Sequence, residues 1–167
     1  MIILLVGTTG SGKSTIGAEL ARQLDWRFIE ADDFHPQHNI DKMASGVHLT
    51  AAERDVWLDA LRGVIDGLID RGEQAVVVAS ALTKEHRERL RAGNGTVLVY
   101  LKGTEELIRE RVRRRRGHFA GEAILDDQFA RLQEPTDAIQ VGIDEPPEEI
   151  ARQIRERLGL TAKSAGG

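Results

Sequence analysis

The 167-residue chain contains no cysteine. That absence excludes disulfide bonds and thiolate metal sites, and it gives secretion no support. Long hydrophobic runs are missing too. Apolar stretches stop at about six residues, far short of the roughly 20 that a membrane helix needs and of a signal-peptide core. Positive charge is not in excess: 23 Lys and Arg stand against 27 Asp and Glu, for a net charge of −4. That balance argues against a general nucleic-acid binder, which needs a basic face. No internal repeat or linker interrupts the chain. What remains is ordinary for a globular protein, 41% apolar and 30% charged, and the length suits one domain with a proper core. We expect a cytoplasmic protein with one domain over residues 1–160 and a frayed tail over residues 161–167.

Residues 7–15 read GTTGSGKST, a complete G-x-x-x-x-G-K-[S/T] phosphate loop (P-loop) made of Gly7, Thr8, Thr9, Gly10, Ser11, Gly12, Lys13, Ser14 and Thr15. An apolar run over residues 1–6 precedes it, and Ile16, Leu20, Ala21 and Leu24 follow at the spacing of a helix with one apolar face. Strand, glycine loop and helix are the context the motif requires. The glycines let backbone N–H groups turn inward, where they and the helix N-terminus hold a triphosphate. Lys13 would reach the β- and γ-phosphates, and the Ser14 hydroxyl would ligate Mg²⁺.

Strand and helix signals alternate along the rest of the chain. Residues 26–29, 75–79, 96–101 and 139–143 read as strands, with the second strand ending at Glu30, Ala31, Asp32 and Asp33. Thr50 and Glu53 form a capping box ahead of a helix with Trp57, Leu58, Leu61, Val64, Ile65, Leu68 and Ile69 on one face. A polar helix spans residues 83–91, another runs from residue 105 to residue 116, and a last one starts at Pro146 and Pro147 and stops at Gly159. The pattern predicts a parallel sheet covered by helices on both faces.

A phosphate loop alone does not separate kinases from GTPases or motor ATPases. The helix that ends RERVRRRRGHF carries Arg109, Arg111, Arg113, Arg114, Arg115 and Arg116. A solvated face is the plain reading of such a run. In a small phosphate-loop protein it suits a lid over residues 113–127, hinged at Gly117 and Gly121, with Arg115 brought onto the transferring phosphoryl group. No N-K-x-D guanine-recognition segment occurs. A small kinase is expected.

Residues 31–46, ADDFHPQHNIDKMASG, resemble the D-D-F-H-P-x-x-N-x-x-K-M-x-x-G signature of bacterial-type gluconokinases. Leu49, Arg54, Trp57 and Leu58 continue the likeness, as do Ser80, Ala81, Leu82, Arg87, Leu90 and Arg91. Residues 117–119 (GHF) and 127–135 (DQFARLQEP) complete it. The resemblance implies an α/β P-loop NTPase of the nucleoside-monophosphate-kinase-like kind, a five-stranded parallel sheet flanked by helices with a lid. It implies ATP and Mg²⁺ as cofactors, phosphorylation of D-gluconate to 6-phosphogluconate, and a homodimer. Shikimate kinases resemble it more distantly. A kinase for another small hydroxy acid or polyol, or an ATP-binding regulator without acceptor-dependent turnover, are the alternative readings.

The signature also makes chemical sense by residue type. A sugar acid needs cations for its carboxylate and carboxylates or amides for its hydroxyls. Asp32, past the end of the second strand, would orient or deprotonate the attacking hydroxyl, and Glu30 would hold Mg²⁺. Asn39 and Lys42 would present an amide and a cation, with Arg54 and Arg87 as further cations. His35, Ser80, His118 and Gln128 join the acceptor site by the resemblance, whereas Trp57 reads as core. The chain departs from the signature at His48, Ala51, Thr83 and Asp127, where the family carries Pro, Asp, Lys and Ser or Thr. Glu30 replaces the more usual Asp. The substitutions fall on the expected acceptor side.

Overall fold

The computed structural model describes residues 1–91, 93–115 and 118–163, and for residues 94 and 118–120 the backbone alone. Five strands, β1 (Ile2–Val6), β2 (Arg27–Glu30), β3 (Ala75–Ala79), β4 (Thr96–Lys102) and β5 (Ile139–Gly142), form one sheet in the order β2-β3-β1-β4-β5. Every pairing is parallel. Helices α1 (Lys13–Leu24), α2 (Gln37–Ala44), α3 (Ala51–Asp70), α4 (Lys84–Leu90), α5 (Glu105–Arg114), α6 (His118–Arg131) and α7 (Pro147–Arg157) surround it.

The central strand is apolar at every position because both of its faces are covered. Ile3 and Leu5 pack with Ile16, Leu20, Ile108, Ile150 and Ile154 from α1, α5 and α7, while Ile2, Leu4 and Val6 pack with Leu58, Leu61 and Ile65 of α3. Burial of each such side chain contributes about 1.5–3 kcal/mol, so the period-two alternation of β1 builds two cores at once. Helix starts follow their caps. Thr50 Oγ1 accepts from Glu53 N–H in a capping box, and the Thr83 and Thr104 hydroxyls accept from His86 and Leu107 N–H at the starts of α4 and α5.

Three differences from the sequence reading bear on the site. Strand β2 runs one residue later than expected, ending at Glu30. Helix α5 stops at Arg114, and Arg115 turns extended. The lid reading placed a hinge at Gly121, but Gly121 lies inside α6. A Cβ at Gly121 would come 2.8 Å from Val112 Cγ1. Gly121 therefore serves close approach of α6 to α5 rather than bending. Gly117 and Arg116 lie outside the described residues.

The topology prepares a site. Strand β1 lies between β3 and β4, so the chain runs to one side of it early and to the other side late. In open parallel sheets, ligands bind beyond the carboxyl ends of strands at such a switch point. Gly7, Ala31 and Ser80 all begin segments there, immediately after β1, β2 and β3.

Candidate active site

The phosphate loop leaves β1 at Gly7. Gly10 and Gly12 hold φ of +77° and +86°, left-handed conformations that L side chains rarely adopt. Ser11 is fully buried and donates its hydroxyl to the Thr8 carbonyl at 2.7 Å, closing the loop on itself. No side chain caps the start of α1, so its first N–H groups face the cradle and form an anion site. Lys13 Nζ donates to the Thr8 carbonyl at 3.3 Å. Burial pushes the Lys13 pKa down, and the carboxylates of Asp32 and Glu30 pull the other way. An ammonium in that balance gains most from an arriving phosphate, which desolvation has made a stronger partner.

Ser14 Oγ donates to Glu30 Oε2 at 2.5 Å. Burial raises the Glu30 pKa, and the Ser14 hydrogen bond opposes that rise. Loop hydroxyl and strand-end carboxylate thus form the hard oxygen pair that Mg²⁺ takes in nucleotide sites, where phosphates and water supply the rest. Among the described residues no group of three or more His, Asp or Glu could hold a metal ion by itself.

A cavity of about 400 Å³ opens beside the loop. Thr9, Lys13, Asp32, His35, Arg54, Ser80 and Gln128 line it, so the fold brings these sequence-predicted residues together. Asp32 sits in the one-turn helix Ala31–Phe34, with its side chain 65% exposed. His35 Nε2 lies 4.0 Å from Asp32 Oδ1, and its ring stacks on Trp57 with centroids 4.3 Å apart. Trp57 is core, as read, and its Nε1 also donates to the Ala31 carbonyl at 2.8 Å, fixing the backbone beside Asp32. Gln128 Oε1 accepts from the Thr9 N–H at 2.7 Å, which ties α6 to the phosphate loop.

Other predicted residues stand elsewhere. Asn39 is fully buried, with its Nδ2 near His35 Nδ1 at 3.3 Å and the Glu53 carbonyl at 3.4 Å, and it supports His35 from behind. Lys42 donates to Glu53 Oε1 at 2.5 Å, off the cavity wall. Arg87 is buried and donates to the carbonyls of Ala81 and Leu82, at 3.3 and 2.8 Å, holding the segment that follows β3. Arg115 is exposed, close enough to Lys13 to lower its pKa slightly. The His118 side chain lies outside the described residues. Thr15 is exposed in the first turn of α1.

The wall also includes residues the sequence reading passed over, among them His86 of α4 and Arg131 of α6. A helical-spacing signal existed for both. His86 follows the cap Thr83 by three residues, and Arg131 follows Gln128 by three and Asp127 by four.

Comparison with known proteins bears on this arrangement. Residues 2–135 match an AAA domain family. The thermoresistant gluconokinase of Escherichia coli (strain K12) is 41% identical over 160 residues, covering 93% of this chain and 91% of that protein. The chain belongs to the gluconokinase family. Two solved structures agree. A gluconokinase from Sinorhizobium meliloti 1021 superposes with a TM-score of 0.79 at 35% identity, covering 94% of each chain. A sugar kinase from Janibacter sp. HTCC2649 gives a TM-score of 0.85 at 33% identity, covering 95% of this chain and 94% of that one. The fold is that of a P-loop kinase, and the protein is a kinase that phosphorylates a hydroxyl group. Of the departures from the gluconokinase signature, His48, Thr83 and Asp127 all lie on the cavity wall, and Ala51 is exposed at the start of α3. Among the described residues no helix is long and apolar enough to cross a membrane.

Proposed function

We propose that the protein transfers the γ-phosphoryl group of ATP to the primary hydroxyl of D-gluconate, giving 6-phosphogluconate and ADP. The observation that supports this most is the pairing of two charge groups on one cavity wall. Lys13 faces the charge of Asp32, and Arg54 faces those of Arg131 and Asp127, and all five side chains line the cavity. A polyhydroxy acid fits both, with its carboxylate toward the arginines and its hydroxyl toward Asp32.

In the reaction, a gluconate hydroxyl oxygen bonds to the γ-phosphorus as the bond from that phosphorus to the ADP oxygen breaks. Asp32 orients the hydroxyl and takes its proton, with the buried His35 and Trp57 stack holding the Asp32 turn in place. Lys13 and the N–H groups of the loop offset charge on the phosphoryl oxygens. Ser14 and Glu30 would hold Mg²⁺, which when bound neutralises phosphate charge. Gluconate turnover in the cytoplasm by a homodimer completes the reading, and sedimentation would measure the assembly.

A coupled assay of ADP release tests the proposal over gluconate, other aldonates, shikimate, nucleoside monophosphates and no acceptor. Gluconate should show the highest kcat/KM. ADP release that no acceptor stimulates would overturn the kinase mechanism, and preference for shikimate would move the substrate.

A further inference from the structure

Asp127 places a carboxylate on the wall of a cavity that is read above as receiving an anion. Its Oδ2 accepts from Arg131 Nη2 at 2.6 Å, one turn along α6, and His48 Nδ1 lies 4.0 Å from the same oxygen. Arg54 of α3 is within electrostatic reach of both. Burial, then the like charge of Arg131, pushes its pKa down, and Asp127 pulls it up. His86 of α4 is pushed below the ordinary imidazole value by burial first and Arg54 second, which favours its neutral form. Asp55, the other carboxylate near Arg54, lies off the cavity wall and is paired with Arg89 at 2.7 Å. Lys13 and Asp32 aside, the wall therefore carries two guanidinium charges against one carboxylate.

Stability is a poor reason for this pair. An i,i+4 ion pair with both side chains about a third exposed adds little to a helix. Arg131 Nε, moreover, has no hydrogen-bond partner among the described residues, so the guanidinium is not saturated by Asp127. The physical effect of Asp127 is on charge. It cancels one of the two arginines, and one positive charge is left to meet the ligand.

We propose that Asp127 is a specificity-determining residue that matches the acceptor's head group to a single negative charge and rejects a doubly charged one. This inference rests on the reading of the cavity as a sugar-acid site. A carboxylate balances the wall as it stands. A phosphate ester, near −2 at neutral pH, meets the Asp127 carboxylate as an uncompensated like charge. Without that carboxylate, Arg54 and Arg131 together would balance the phosphate.

The test measures binding by calorimetry, in the presence of Mg²⁺ and a nonhydrolysable ATP analogue, for three six-carbon probes. These are gluconate, a hexitol monophosphate with a free primary hydroxyl at its far end, and the uncharged hexitol. The wild type should bind gluconate more tightly than the hexitol phosphate. Asp127→Asn should move the ratio of the two dissociation constants toward the phosphate by about tenfold or more, with hexitol binding held within about twofold. A smaller change in that ratio, parallel weakening of all three probes, or no binding of any probe to either protein overturns the proposal. Should Asp127→Asn fail to fold, Arg131→Gln carries the test. It leaves the wall without net charge and should weaken gluconate relative to hexitol by about tenfold, and an unmoved ratio overturns the proposal equally. Turnover is read separately. If the wild type does not phosphorylate gluconate but the binding ratio still moves, the gluconokinase reading fails and the charge rule stands. Normal gluconate turnover with an unmoved ratio sinks the charge rule alone.

Discussion

Lys13 carries its ammonium where burial opposes charge and two carboxylates favour it. Lys13→Ala should lower kcat at least about a hundredfold, the scale of losing one transition-state donor, while circular dichroism stays unchanged. More than half the wild-type kcat would end the phosphate-loop assignment. Asp32 lines the cavity and is proposed to act on the acceptor side, so Asp32→Asn should lower kcat and kcat/KM for gluconate together, by roughly a hundredfold. ATP affinity by calorimetry should change less than about threefold, under about 1 kcal/mol. Near-normal turnover would pass the role to Glu30. His35 and His86 make a different prediction, about stability. Burial lowers both pKa values below the ordinary 6.5. A lowered imidazole pKa means that the unfolded chain takes up protons first as pH falls. The stabilisation is therefore complete above about 6.5 and is lost as pH drops toward the folded-state values. Urea midpoints should fall over that range, and His35→Gln should flatten the fall. An equal slope in both proteins would show that His35 does not report its burial.

Helix α1 joins the phosphate loop to the sheet, and Gly17 sets how closely it can lie. A Cβ there would sit 2.3 Å from Val78 Cγ1 and 3.2 Å from Phe28 Cε2. Val78 is in a fully buried strand, so it has little room to yield. Gly17→Ala should destabilise the protein by about 1–3 kcal/mol, the cost of overpacking, despite the better helix propensity of alanine. A gain in melting temperature would show that α1 can lift without cost. Helices α5 and α6 pose a question of motion. Gln128 already ties α6 to the loop, and Arg115 is within electrostatic reach of Lys13. If these helices act as a lid, hydrogen exchange over residues 113–127 should slow when ATP and gluconate bind together. Unchanged exchange would leave the arginines as a solvated face.

The whole molecule gains stability from what its cleft holds. A ligand that binds only the native state stabilises it by about 2.7 kcal/mol at a hundredfold excess over Kd. For a chain of this size, Mg²⁺ and ATP at that excess should raise Tm by about 5–10 °C in a thermal scan. Lys13→Ala should lose most of the rise. A wild-type Tm indifferent to ATP would mean that the cradle is not a nucleotide site.

Much of this was legible in residue order. The GTTGSGKST loop, the buried strand before it, the capping box at Thr50 and the apolar face of α3 depend on neighbours within a few residues, and local spacing specifies them. The family signature likewise marked Asp32, His35, Arg54 and Gln128. Helical spacing offers Lys42 to the acceptor but does not show that Glu53, the residue of the capping box, also pairs with its ammonium from eleven residues away. Arg87 reads as a cation offered to the acceptor, yet it is buried and donates hydrogen bonds to the carbonyls of Ala81 and Leu82 after β3. Composition and short-range pattern decided the five strands, helices α1, α3, α4, α5 and α7 and the phosphate cradle, because those follow from backbone geometry and burial along one segment. The sequence reading assigns no helix at α2 or α6. Only the tertiary structure decided which charges line the cavity. Thr9 meets Gln128 across 119 residues, and His48 Nδ1 comes within 4.0 Å of Asp127 Oδ2. Such contacts depend on where packed elements end in space, which no local spacing encodes.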